Sequence, residues 1–146
     1  MHQETRMTHA KFAKDGTEWN QTEEDRIARS ILDHSFQIHT ELGPGLLESV
    51  YERVLAHRLT QAGWSVKTQV PVPVVIDGLE LPEGFRADLI VNEKVIVELK
   101  STEETKKLFA KQLLTYLRLS KLKLGLLINF GTGHLKDGIE RVVNGL

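Results

Sequence analysis

Val95-Ile96-Val97-Glu98-Leu99-Lys100 decides how this chain folds and where its chemistry lies. Strand alternation puts Val95, Val97 and Leu99 on one face and Ile96, Glu98 and Lys100 on the other. A carboxylate and an ammonium therefore stand side by side on a face that would otherwise continue apolar. The preceding run Phe85 to Val91 also reads as a strand, and Asn92-Glu93-Lys94 as the turn between them. If that turn takes three residues, Asp88 lies directly opposite Glu98. Two facing carboxylates repel each other unless a cation joins them. Carboxylate oxygens with water completing the shell suit Mg²⁺ or Mn²⁺.

Working outward, β-branched residues predict two further strands, Val66 to Val70 and Val72 to Ile76, with Asp77-Gly78 as a turn. Pro71 and Pro73 place the break between them at an edge or an irregularity. Upstream, Thr22 with Glu23, Glu24 and Asp25 forms a helix start. Ile27, Ile31, Leu32, Ile38 and Leu42 carry the helical stripe to a stop at Gly43. A second helix is expected from Leu46 to Ala62 and a third from Glu103 to Ser120. Leu124 to Phe130 suits a strand covered on both faces, Gly131 to Asp137 a loop, and Ile139 to Val143 a last strand. The order α-α-β-β-β-β-α-β-β calls for an α/β fold, a mixed central sheet flanked by helices. Residues 1–21 lack periodicity and are expected to be a flexible leader, with one domain over 22–146.

Two helices carry polar residues on faces expected to be apolar. In the second, Leu47, Val50, Tyr51, Val54, Leu55 and Leu59 form an arc that includes Glu48. A carboxylate buried there needs a partner or a cation; a rim pairing with Arg or Lys is the bland alternative. In the third, Gln112 projects beside Tyr116 and Leu119, one turn from Tyr116, so both polar tips can reach a common site or simply bond each other. Lys107, Lys111 and Arg118 form a basic stripe, read as a solvated face. A metal held by such carboxylates would polarise a phosphoryl oxygen and acidify a bound water. Lys100 would position that water or neutralise developing charge. The competing account is a plain cross-strand salt-bridge cluster.

Composition sets limits. The 146 residues have no cysteine, a net charge of −1 and 27% charged residues. Thiolate metal sites and disulfides are therefore excluded, and tight non-specific attraction to bulk phosphate is disfavoured. No apolar run approaches the roughly 20 residues that span a bilayer, and the first 20 lack a signal-peptide stretch, so a soluble cytoplasmic protein is the default. His34 and His39 are five apart and do not share a helix face as a zinc pair would.

Asp88, nine intervening residues and Glu98-Leu99-Lys100 resemble the PD-(D/E)XK nuclease signature, and Gln112-x-x-x-Tyr116 resembles the extra motif of its exonuclease branch. Gly45-Leu46-Leu47-Glu48-Ser49-Val50-Tyr51 is similar to the motif that names the GxxExxY family. Arg86-Ala87-Asp88-Leu89, Val97 to Ser101 and Leu124 to Gly131 also look typical of it. Ala87 stands where the superfamily name has Pro. The resemblance implies a nuclease-like α/β core that hydrolyses nucleic acid, DNA rather than RNA, with Mg²⁺ or Mn²⁺. It implies Asp88, Glu98 and the Leu99 carbonyl as metal ligands, and Glu48 supporting through the metal or its waters. It further implies Lys100 assisting the attacking water, and Gln112 and Tyr116 holding the site or the substrate. The alternative is a catalytically silent nuclease-fold module acting through a protein or nucleic-acid partner; a third reading is a homo-oligomer such as a dimer.

Overall fold

The computed structural model describes residues 22–146; the expected leader lies outside them. Helix α1 spans Glu23–Leu42 and α2 Glu48–Gln61. Strands β1 (Val66–Ile76), β2 (Leu79–Val91) and β3 (Val95–Lys100) follow. Helix α3 (Lys107–Ser120), β4 (Leu124–Asn129), a 3₁₀ turn (Leu135–Gly138) and β5 (Ile139–Val143) complete the order. The start of α1 is written in its cap: Thr22 Oγ1 accepts from the Asp25 N–H, and three acidic residues occupy the first turn. Gly43, at φ 70°, ends it as expected.

The five strands lie in sequence order in one sheet. β3 and β4 are parallel and every other pair is antiparallel. Parallel neighbours cannot be joined by a hairpin, so α3 makes the crossover between them. Alternation along β3 divides the core as its sequence requires. Val95, Val97 and Leu99 pack with Ile27, Ile31 and Ile38 of α1 and Tyr51, Leu55 and Leu59 of α2. Ile96 packs on the other side with Leu113 and Leu117 of α3. Gly125 belongs to that second face, where a Cβ would stand 2.9 Å from the Leu113 side chain, so its lack of a side chain admits the helix.

Several boundaries differ from the sequence expectation. The two strands expected over Val66–Val70 and Val72–Ile76 are one strand, β1. The irregularity signalled by the prolines is real but internal: Gln69 takes φ 49°, and the register shifts between Val72 and Val74. β1 is a sheet edge, where a proline needs no ladder partner for its missing N–H. β2 starts at Leu79 rather than Phe85, because the hairpin continues past the shift, pairing Val74 with Leu81 and Ile76 with Leu79. α2 begins at Glu48 rather than Leu46. α3 begins at Lys107 rather than Glu103, β4 ends before Phe130, and a 3₁₀ turn occupies part of the expected loop. The late start of α3 has a cause in Asn129, which is fully buried. Its Oδ1 accepts from the N–H groups of Thr102 and Gly131, and its Nδ2 donates to the hydroxyls of Thr102 and Thr105. Residues 102–105 are held by that amide instead of by helical bonds.

Candidate active site

The site starts from Asp88 in β2. The β1–β2 ladder pairs Thr68 with Leu89 and Val70 with Ala87, leaving out the pair between them, Gln69 and Asp88. On the other side the β2–β3 ladder runs from Val91–Val95 to Leu89–Val97 and stops. Asp88 thus stands where both ladders are interrupted. Side chains take over the bonding there. The Asp88 N–H donates to Glu98 Oε1 at 3.2 Å, and the Leu99 N–H donates to Asp88 Oδ2 at 2.9 Å. The three-residue turn and the facing pair read from the sequence are both present.

Glu98 is only 8% exposed, and its carboxyl is pushed up to about 9. Burial is the main cause, and the Asp88 charge raises it further; the Asp88 N–H and Lys100 oppose the shift. An acid in that state is protonated at neutral pH unless a cation is present. Lys100, one strand step on, is half-buried with its Nζ 4.5 Å from the ring centre of Phe109 in α3. Tyr116 lies two turns on along the same face of α3, stacked on Phe85 with ring centres 4.0 Å apart. Burial raises the Tyr116 hydroxyl, and the charges of Glu98 and Asp88 add to it, which puts the phenol in the field of both carboxylates.

Glu48 enters from α2, with a correction. It is exposed, not enclosed in an apolar arc. The buried row of α2 is Tyr51, Leu55 and Leu59, whereas Leu47 and Val50 are 74% and 36% exposed, because the first turn projects beyond the core. Glu48 nonetheless lies within the field of Lys100 and Asp88. Partial burial raises its carboxyl, Lys100 opposes this and Asp88 reinforces it. Its placement is built by the turn before it. Tyr51 Oη donates to the Gly43 carbonyl at 2.6 Å and accepts from the Leu46 N–H at 3.1 Å. The Tyr51 ring stacks on Phe130 with centres 4.4 Å apart. Ser101 Oγ, just past Lys100, donates to the Leu46 carbonyl. The turn bearing Glu48 and the end of the strand bearing Lys100 are therefore tied together. Gly45, at φ 101°, permits the turn.

Gln112 is the second correction. It is exposed on the flank of α3, whose buried row is Leu113 and Leu117. Its expected apolar neighbours are open as well, with Leu108 57% and Leu119 39% exposed. Lys107, Lys111 and Arg118 are exposed, as a solvated stripe requires.

Sequence reasoning missed two residues. Gln69 Nε2 donates to Glu52 Oε1 at 2.5 Å and to Asp88 Oδ1 at 3.3 Å. Glu52, one turn after Glu48, is half-buried, and its carboxyl is raised by burial and by the charges of Asp88 and Glu48, with the Gln69 bond opposing. Its i, i+4 spacing from Glu48 was a signal in the sequence. Nothing local could have marked Gln69.

These groups offer hard oxygen donors around the buried Glu98 and the half-buried Asp88, the donor chemistry of Mg²⁺ or Mn²⁺. Asp88 and Glu98 fit such an ion because a cation beside them favours ionised Glu98 against its burial and the Asp88 charge. Among the described residues no three His, Asp or Glu side chains already stand at metal-ligand spacing. The pair would need backbone or water oxygens to complete a shell, and Glu48 would act through water. Among the described residues no helix is long and apolar enough to cross a membrane. A family model described as the PD-(D/E)XK nuclease superfamily matches residues 25–142. No curated protein and no solved structure gives a significant match.

Proposed function

The chain belongs to the PD-(D/E)XK nuclease superfamily, and on that premise we propose that it is a metal-dependent phosphodiesterase of the GxxExxY group. Its substrate is nucleic acid, DNA in preference to RNA, and its place of action the cytoplasm. The observation that supports this most is the buried Glu98 facing Asp88, with Lys100 one strand step beyond. A structural salt bridge would not leave its carboxylate raised to about 9.

Asp88 and Glu98 would hold a divalent ion, with the Leu99 carbonyl as a further ligand. When bound, such an ion polarises a phosphoryl oxygen and lowers the pKa of a coordinated water. Lys100 orients the attacking water and balances charge on the phosphate. Its Nζ sits over the face of the Phe109 ring, a cation–π contact that pre-positions the ammonium. Glu48 accepts hydrogen bonds from water at the mouth of the site, and the Tyr116 hydroxyl donates toward the substrate from beside the carboxylates. Gln112, exposed on the same helix, is placed to touch substrate rather than to support the site.

Single- and double-stranded DNA and RNA should be cleaved in Mg²⁺ or Mn²⁺, DNA faster. Cleavage should vanish in Asp88→Ala and in Lys100→Ala. Turnover that survives both substitutions rejects the assignment. The second reading, a silent binding module, draws on the near-neutral charge of the chain, −1. It gains if a partner is bound equally well by Glu98→Gln while the wild type takes up no divalent metal.

A further inference from the structure

We propose that Gln69 is a positioning residue that fixes the Asp88 carboxylate for cation binding and holds Glu52 away from it. The inference rests on the reading that Asp88 receives a divalent ion, and it adds a residue and an arrangement which that reading does not contain.

Three observations carry it. First, Gln69 adopts φ 49° inside a strand, a conformation that L-residues with a long side chain rarely take. Its own backbone is out of the ladder at the pair it would make with Asp88. Such a conformation costs free energy and persists where the surroundings over-determine it. Second, the departure brings the side chain to two acids at once. Carboxylates only accept, so the amide nitrogen must be the end that faces them. Its two hydrogens suit the two bonds found, one to Glu52 Oε1 and one to Asp88 Oδ1. Third, Asp88 Oδ2 is already engaged by the Leu99 N–H. With one donor on each oxygen the carboxylate has a single orientation, and each oxygen keeps a lone pair for a cation.

The bridge also separates like charges. Glu52 and Asp88 carry like charge, and without the amide between them Glu52 is free to swing toward any ion held at Asp88. Gln69 therefore supports metal geometry in the way outer-shell partners of ligands do; removing such partners costs about 10–100-fold in metal affinity.

The test is Mn²⁺ titration by calorimetry on the full chain without nucleic acid, comparing wild type, Gln69→Gly, Glu52→Gln, Glu52→Ala and the double variant Gln69→Gly/Glu52→Ala. Glycine accepts the positive φ, so Gln69→Gly removes the amide and keeps the backbone. Gln69→Gly is expected to weaken Mn²⁺ binding by about tenfold or more. Glu52→Gln, which retains an acceptor oxygen for Gln69, should bind close to wild type. Glu52→Ala should weaken binding in the same direction, and the double variant no further than Gln69→Gly alone, because the two act as one unit. At saturating Mn²⁺, kcat of Gln69→Gly should recover while KM for DNA stays unchanged. Wild-type affinity in Gln69→Gly, or additive losses in the double variant, overturns the role of Gln69 and leaves the nuclease reading standing. A wild type that binds no Mn²⁺ overturns both.

Discussion

Replacing Glu98 by Gln should make the metal-free protein more stable at alkaline pH while removing its response to metal. Glutamine is close to isosteric; its oxygen can keep the bond from the Asp88 N–H, and its amide can donate to the Asp88 carboxylate. What changes is the proton. Glu98 moves from an ordinary value of 4.5 to about 9 on folding. Between those limits the native state binds more protons than the unfolded chain, so stability falls as pH rises through that window. One proton is equivalent to about 1.4 kcal/mol per pH unit, so about 4 kcal/mol is the upper limit between pH 5 and 8. Local relaxation and water entry on ionisation reduce the figure, to on the order of 2 kcal/mol. For a domain of this size that is on the order of 8 °C in Tm. Glu48 and Glu52 also titrate upward, but they are present in both proteins and cancel in the comparison. Thermal melts in chelator at pH 5 and pH 8 measure the effect. The wild type should lose several degrees more than Glu98→Gln across that interval, and Mg²⁺ at pH 8 should restore the wild type alone. Parallel Tm–pH lines for the two proteins would refute the reasoning, since they would mean that Glu98 is no more costly to ionise folded than unfolded.

Tyr51→Phe keeps the stack on Phe130 but leaves the Gly43 carbonyl and the Leu46 N–H without their shared partner. It should cost about 1–3 kcal/mol in urea unfolding and lower kcat by loosening the turn that bears Glu48. Gly131→Ala would bring a Cβ to 2.2 Å from the Thr102 carbonyl, a backbone atom fixed by Asn129. A loss of about 3 kcal/mol is expected, whereas Gly133→Ala, with open space around it, should melt like the wild type.

The fold was legible where burial is two-sided or strictly alternating. Val95 to Lys100 announces both faces of the sheet, and Leu124 to Ile128 is without polar side chains because helices cover it on either side. Boundaries were misread where a distant side chain decides them. Asn129 holds residues 102–105 out of α3, and no pattern within those residues shows it. The prolines at 71 and 73 do mark an edge and an irregularity, as read; only the split into two strands fails, because an edge strand can carry them without ending.

The site shows a different limit. Asp88, Glu98 and Lys100 were found because strand period and turn length fix their relation within one hairpin. Glu48 and Gln112 were selected as polar residues on buried faces, and both faces turn out to be open. For Glu48 the error was about reach. An apolar periodicity says which side of a helix faces inward, but not whether its first turn still lies over the core. That distinction bears on chemistry. A buried Glu48 would compete for the ion as a third anionic ligand and raise the repulsion around Glu98. An exposed one, at a helix N-terminus where a carboxylate is favoured, shapes the water at the entrance. The acid pair at the break in the sheet thus joins a buried Glu98 to a half-buried Asp88, while the remaining acids lie on its wetter rim, Glu52 held by an amide and Glu48 following a clamped turn.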